Sequence, residues 1–179
     1  MRVLAWRGID VPRFELAFVS LEDDRLTARG TQIGVEPEPY RLQYAVEAGA
    51  GFVSNRLQVD VETTSGSRSL DLRRGMEPLV DDVLDLDLGY SPVFNSLPIL
   101  RHGLHQGGQA RELVMAWVSV PELAVQRSAQ RYVPLGAGLV RYRSGSFAAD
   151  LELDDEGFVV RYPQLAERVF PPPGENGNV

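Results

Sequence analysis

The sequence predicts a mainly β fold laid out as an antiparallel meander. Three observations carry this reading. Apolar residues recur with period two, turn signals separate the runs at short intervals, and no ten-residue stretch shows a helical period. Residues 56–62 are the clearest case, where Leu57, Val59 and Val61 alternate without error with Arg56, Gln58, Asp60 and Glu62. Successive side chains of a strand point to opposite faces, so such a segment has one wet and one dry face.

The same alternation runs through Leu42, Tyr44 and Val46, then through Leu70 and Leu72, and then through Leu84, Leu86 and Leu88. It returns at Phe147, Ala149, Leu151 and Leu153. Between these runs stand Glu22-Asp23-Asp24, Gly49-Ala50-Gly51, Ser65-Gly66, Gly107-Gly108, Gly136-Ala137-Gly138, Ser144-Gly145 and Asp155-Glu156-Gly157. Closely spaced turns of this kind read as hairpins. Two segments depart from the pattern. Residues 113–118 are apolar on both faces, which predicts a strand covered on both sides or lining a cavity on one. Residues 89–98 begin with Ser91 and Pro92, an N-cap and first helical residue, while Pro98 disfavours helix at Leu97. A short helix or ordered loop across one mouth of the sheet is expected there, and a second short helix over residues 163–168.

At 179 residues the chain is expected to form one domain over residues 1–170, followed by a disordered tail over residues 171–179 rich in Pro, Gly and Asn. All 18 basic residues are Arg, and Cys is absent. A Walker-type phosphate loop and a Schiff-base enzyme need Lys, and a thiol nucleophile or Cys-bound zinc needs Cys, so these chemistries are excluded. No cofactor is expected. The net charge of −7 argues against nucleic acid and anionic lipid surfaces as partners. No segment approaches the roughly 20 apolar residues of a membrane span. The apolar run before Arg7 is too short for a signal peptide, so the expected location is cytoplasmic.

Reactive constellations are few. His102 and His105 are spaced as on one helix face, but Gly103 between them argues for loop histidines. Asp85 and Asp87 share one face of a strand, about 7 Å apart by strand rise, a spacing that carboxylate pairs use in glycoside hydrolysis and that an ordinary wet face also produces. The elbow pattern of serine hydrolases is missing, since Val93 stands where its last Gly belongs. The aromatic and Arg set is richer: Trp6, Arg7, Tyr90, Phe94, Arg101, Trp117, Tyr132, Arg161 and Tyr162 could together line an apolar pocket with a polar rim.

Residues 84–98, Leu84-Asp85-Leu86-Asp87-Leu88-Gly89-Tyr90-Ser91-Pro92-Val93-Phe94-Asn95-Ser96-Leu97-Pro98, resemble the LDxDLGxxPxxNxLP core of a bacterial family described as putative glycolipid-binding. The opening Trp6-Arg7 with Asp10 and Pro12, and the closing stretch from Gly157 to Glu167, are similar to that family as well. The resemblance covers about residues 2–170. It implies an antiparallel spiral β-roll wrapped around one or two short helices, similar in architecture to periplasmic carriers of lipoprotein acyl chains. It implies binding of a glycolipid or other acylated small molecule in an apolar interior, and brings no catalytic residues. It adds Asn95 to the candidate site, as a residue that orders its loop through backbone groups. Two alternatives stand beside it: a small hydrolase acting on a sugar or lipid ester through Asp85 and Asp87, and an interaction module without ligand.

Overall fold

The computed structural model describes residues 1–76, 83–136, 138–172 and 174–175. Ala137, inside one predicted turn, and Pro173 and residues 176–179 of the predicted tail lie outside the described residues. The first half of the chain forms strands β1 (Arg2–Gly8), β2 (Arg13–Glu22), β3 (Arg25–Gly34), β4 (Tyr40–Ala48), β5 (Ser54–Thr63) and β6 (Gly66–Arg73). The second half forms β7 (Asp85–Leu88), helix α1 (Pro92–Arg101), β8 (Arg111–Val118), β9 (Val125–Gly136), β10 (Leu139–Ser144), β11 (Phe147–Leu153), β12 (Val159–Tyr162) and β13 (Ala166–Phe170).

All thirteen strands belong to one sheet, in the order β6-β5-β4-β3-β2-β1-β13-β12-β11-β10-β9-β8-β7. The chain steps outward from β1 to β6, resumes at the opposite edge with β7, and steps back from β8 to β13, which pairs with β1. Every pairing is antiparallel except β7 with β8, and α1 makes the crossover that a parallel pair requires. The edge strands β6 and β7 do not pair, so the sheet is not closed into a barrel. The two ends nevertheless meet. The Ser54 amide donates to the Leu84 carbonyl at 3.0 Å, and the Leu86 amide donates to Ser54 Oγ at 3.2 Å. Arg74 ties the same seam by donating to the carbonyls of Ser54, Val83 and Leu84. The architecture is that of a β-roll.

The clearest period-two run falls where it was expected. Leu57, Val59 and Val61 are buried while their neighbours on β5 face water. The roll is filled by α1, whose residues Pro92 to Ile99 are all buried. An all-round buried helix needs an all-round apolar sequence, which PVFNSLPILR nearly supplies. Its N-terminal half joins the core formed by β1–β6, with Phe94 edge-on to Tyr44 at 5.4 Å. Ile99 belongs to a second cluster with Met115, Tyr132, Val140, Tyr142, Leu151 and Tyr162.

Four local expectations differ from the structure. The helix does not stop before Pro98 but continues to Arg101. A proline inside a helix forfeits a hydrogen bond at about 3 kcal/mol, and burial of the whole helix offsets that loss. Residues 163–165 form a turn, and the expected second helix is replaced by β13, held between β1 and β12. Over residues 85–88 the strand has no wet face, and Asp85 and Asp87 are turned inward at 1% and 8% exposed while Leu84 before them faces water. On β8 the apolar run is covered only in its second half, where Met115, Ala116 and Val118 are buried while Val114 faces water. No helix among the described residues is long and apolar enough to cross a membrane.

Candidate ligand-binding cleft

The turn between β7 and α1 sets the site. The Ser91 amide donates to the Leu88 carbonyl, and the Gly89 amide donates to the Val118 carbonyl at 2.8 Å. These bonds leave Tyr90 at φ +68°, a left-handed conformation that a non-glycine residue adopts at an energetic cost. The tyrosine side chain is thereby set at the edge of the core, bordering a cleft.

The floor of that cleft is Asp87. A chain of donors ends on it: Asn95 Nδ2 donates to Tyr132 Oη at 3.0 Å, Tyr132 to Gln130 Oε1 at 3.1 Å, and Gln130 Nε2 to Asp87 Oδ2 at 2.6 Å. Burial pushes the Asp87 carboxyl up to about 6, against the opposing pull of the Gln130 bond. Burial also raises the phenols of Tyr132, Tyr142 and Tyr162, so they stay neutral hydrogen-bonding groups.

The walls are aromatic. A cavity of about 360 Å³ is bounded by Tyr90, Trp117, Tyr142, Phe147 and Tyr162 above Asp87. Tyr142, Phe147 and Tyr162 form a triangle with ring centroids 5.9–6.2 Å apart. Ser91, Asn95 and Ser144 supply the remaining polar lining. The cavity adjoins an outer cleft of about 480 Å³, with which it shares Tyr90, Trp117, Phe147 and Leu165. Asp10, Arg13, Glu36 and Glu122 stand around the outer cleft. Both volumes fall in the range of small-molecule sites. A further hollow of about 490 Å³ lies over Gly30 on β2–β5, bordered by Phe18, Arg29, Gln43 and Asp60.

A second buried carboxyl supports the turn from behind. Glu15 on β2 accepts hydrogen bonds from Tyr44 at 2.6 Å and Ser91 at 2.7 Å. Gln32 Nε2 bridges Glu15 and the Gly89 carbonyl. Burial pushes Glu15 up to about 7 despite these donors and the nearby Arg13. Arg13 itself lies over the Tyr90 ring, 3.6 Å from its centroid, and donates to Tyr40 Oη at 3.0 Å.

The residues singled out in the sequence divide into three groups. Tyr90, Asn95, Trp117 and Tyr162 border the cavity, and Tyr132 lies just beneath it. Trp6 and Phe94 are core, with the Trp6 indole donating to the Val159 carbonyl at 2.8 Å. Arg7 and Arg161 face water, Arg7 paired with Glu167, and Arg101 is committed to Asp85. Sequence reasoning missed Arg13, Glu15, Gln130, Tyr142 and Phe147 as parts of the site. One signal was available: Ser128, Gln130 and Tyr132 share a strand face, and polar residues on an inward face mark a site.

Among the described residues no group of three or more His, Asp or Glu could hold an ion. His102 lies between Arg101 and Arg111, each 3.3 Å away, and burial together with these cations lowers its proton affinity.

Comparison with known proteins agrees with the architecture. A family model described as "Putative glycolipid-binding" matches residues 3–168. No curated protein sequence matches the chain. A crystal structure of a DUF1089 family protein from Pseudomonas aeruginosa, at 1.80 Å resolution, is 28% identical, with a TM-score of 0.74 over 92% of this chain and 95% of that one.

Proposed function

This chain belongs to the family described as putative glycolipid-binding, and from that premise we propose that it binds a glycolipid or related amphiphile in the aromatic cleft, by enclosure and without bond chemistry. The observation that carries this reading is the convergence of five aromatic side chains on a buried carboxyl at one end of the roll's interior. Aromatic rings offer apolar area to the ligand, and the carboxyl and the cleft's hydroxyl groups fix its polar head. Burying about 12 methylenes of a lipid tail would gain roughly 10 kcal/mol gross. Association costs of order 4–15 kcal/mol consume much of that gain, so the head-group contacts decide the affinity.

Hydrolysis has less support. Glycoside hydrolysis uses two carboxyl groups flanking the scissile bond, whereas Asp85 is held by Arg101 and does not border the cavity. The cytoplasm is the proposed compartment. Native mass spectrometry of the purified protein, with solvent extraction of any bound lipid, tests the reading. A co-purifying amphiphile in stoichiometric amount is expected. A mass equal to the bare chain, with none gained on incubation with neutral, cationic or anionic octyl amphiphiles, would contradict the proposal.

A further inference from the structure

The geometry points to a head group bearing an ammonium ion as the preferred occupant of the inner cavity; this rests on the cleft reading above and sharpens it. The inner cavity places a single carboxyl among aromatic rings, with no basic residue among those that border it. Aromatic faces attract cations, and a desolvated carboxylate lacking a positive partner is costly. Gln130 satisfies one oxygen of Asp87, and Asp87 is the one acidic or basic side chain among those that border the cavity. Three of the other polar side chains there already have partners. Asn95 donates to Tyr132, Ser91 donates to Glu15, and Ser144 Oγ lies 3.2 Å from Ser128 Oγ. An ammonium group would neutralise Asp87 and sit against the ring faces at once, which a neutral sugar does not.

The entrance repeats this preference. The outer cleft carries Asp10, Glu36 and Glu122 against one basic side chain, Arg13. Arg13 shows how a cation is held here, since its guanidinium already rests on the Tyr90 ring that both cavities share. An anionic head group would meet three carboxylates at the rim and a fourth carboxyl at the floor. Ligands of the expected class are amphiphiles with an amino sugar or a quaternary ammonium head.

Calorimetric titration with four probes of equal chain length tests this: octyl β-glucoside, its 2-amino-2-deoxy analogue, octyltrimethylammonium and octyl sulfate, each below its micelle concentration. Both ammonium probes are expected to bind at least tenfold tighter than octyl β-glucoside, and octyl sulfate at least tenfold weaker. Whichever ammonium probe binds tighter identifies the head as amino sugar or quaternary ammonium. In Asp87→Asn the ammonium-to-glucoside ratio should fall below about twofold. Equal affinities in the unmodified protein would overturn the inference while leaving the cleft reading intact, as would a ratio that survives Asp87→Asn. If none of the four probes binds, the cleft reading itself fails.

Discussion

Glu15 and Asp87 are two acids buried within reach of one turn, and their proton affinities make stability depend on pH. Burial raises Glu15 from 4.5 to about 7 and Asp87 from 3.8 to about 6. The folded chain therefore holds these protons more tightly than the unfolded chain does. The stability they contribute is complete below the unfolded values and is lost as pH rises towards 6 and 7. Glu15→Gln should flatten the decline between pH 4.5 and 7 and raise stability above pH 7 by up to about 3 kcal/mol. Urea midpoints across that range measure it, and a variant that keeps the full slope would assign the decline elsewhere. At this scale the sequence was only half legible. Tyr90, Asn95, Trp117 and Tyr162 are readable as amphipathic lining residues. Asp87 looked like part of a wet strand face, because a period of two separates the faces without saying which one is buried.

Strand β3 shows how an element prepares the site. Gly30 and Gly34 pair with Tyr44 and Tyr40 on β4, and the tyrosine rings lean across the lanes these glycines leave open. That is how Tyr44 reaches Glu15 on β2 and how Tyr40 reaches Arg13. A Cβ at Gly30 would come within 2.3 Å of the Tyr44 ring. Gly30→Ala is therefore expected to destabilise the fold by about 1–3 kcal/mol, read as a lower urea midpoint, and an unchanged midpoint would show that the ring moves freely. Helix α1 was legible at its start, where Ser91 and Pro92 mark the boundary. Its end was not, because burial on every side outweighs the local penalty of Pro98. The strand that replaces the expected second helix was hidden for a similar reason, since partners on both sides of β13 determine its conformation.

Across the whole molecule, the meander and the family motif were legible because hairpins are local. The parallel β7–β8 pair and the seam where the roll's ends meet were not, because they join residues distant in the chain. Arg74 bridges that seam through three backbone carbonyls. Arg74→Ala should cost about 1–3 kcal/mol, which is roughly 2–12 °C in melting temperature for a chain of this size. A melting curve identical to that of the unmodified protein would show that the seam holds without it.

The claim on which the rest depends is that the aromatic cleft takes the ligand while the core stays filled. The chain's two tryptophans separate these regions: Trp117 borders the cleft, and Trp6 is buried with its indole bonded to Val159. Two-dimensional proton–nitrogen spectra give one indole signal for each, assigned with Trp117→Phe. Titration with the tightest of the octyl probes should shift the Trp117 indole progressively and to saturation while the Trp6 indole stays in place. A Trp117 signal that does not move, or a Trp6 signal that moves alone, would contradict the account.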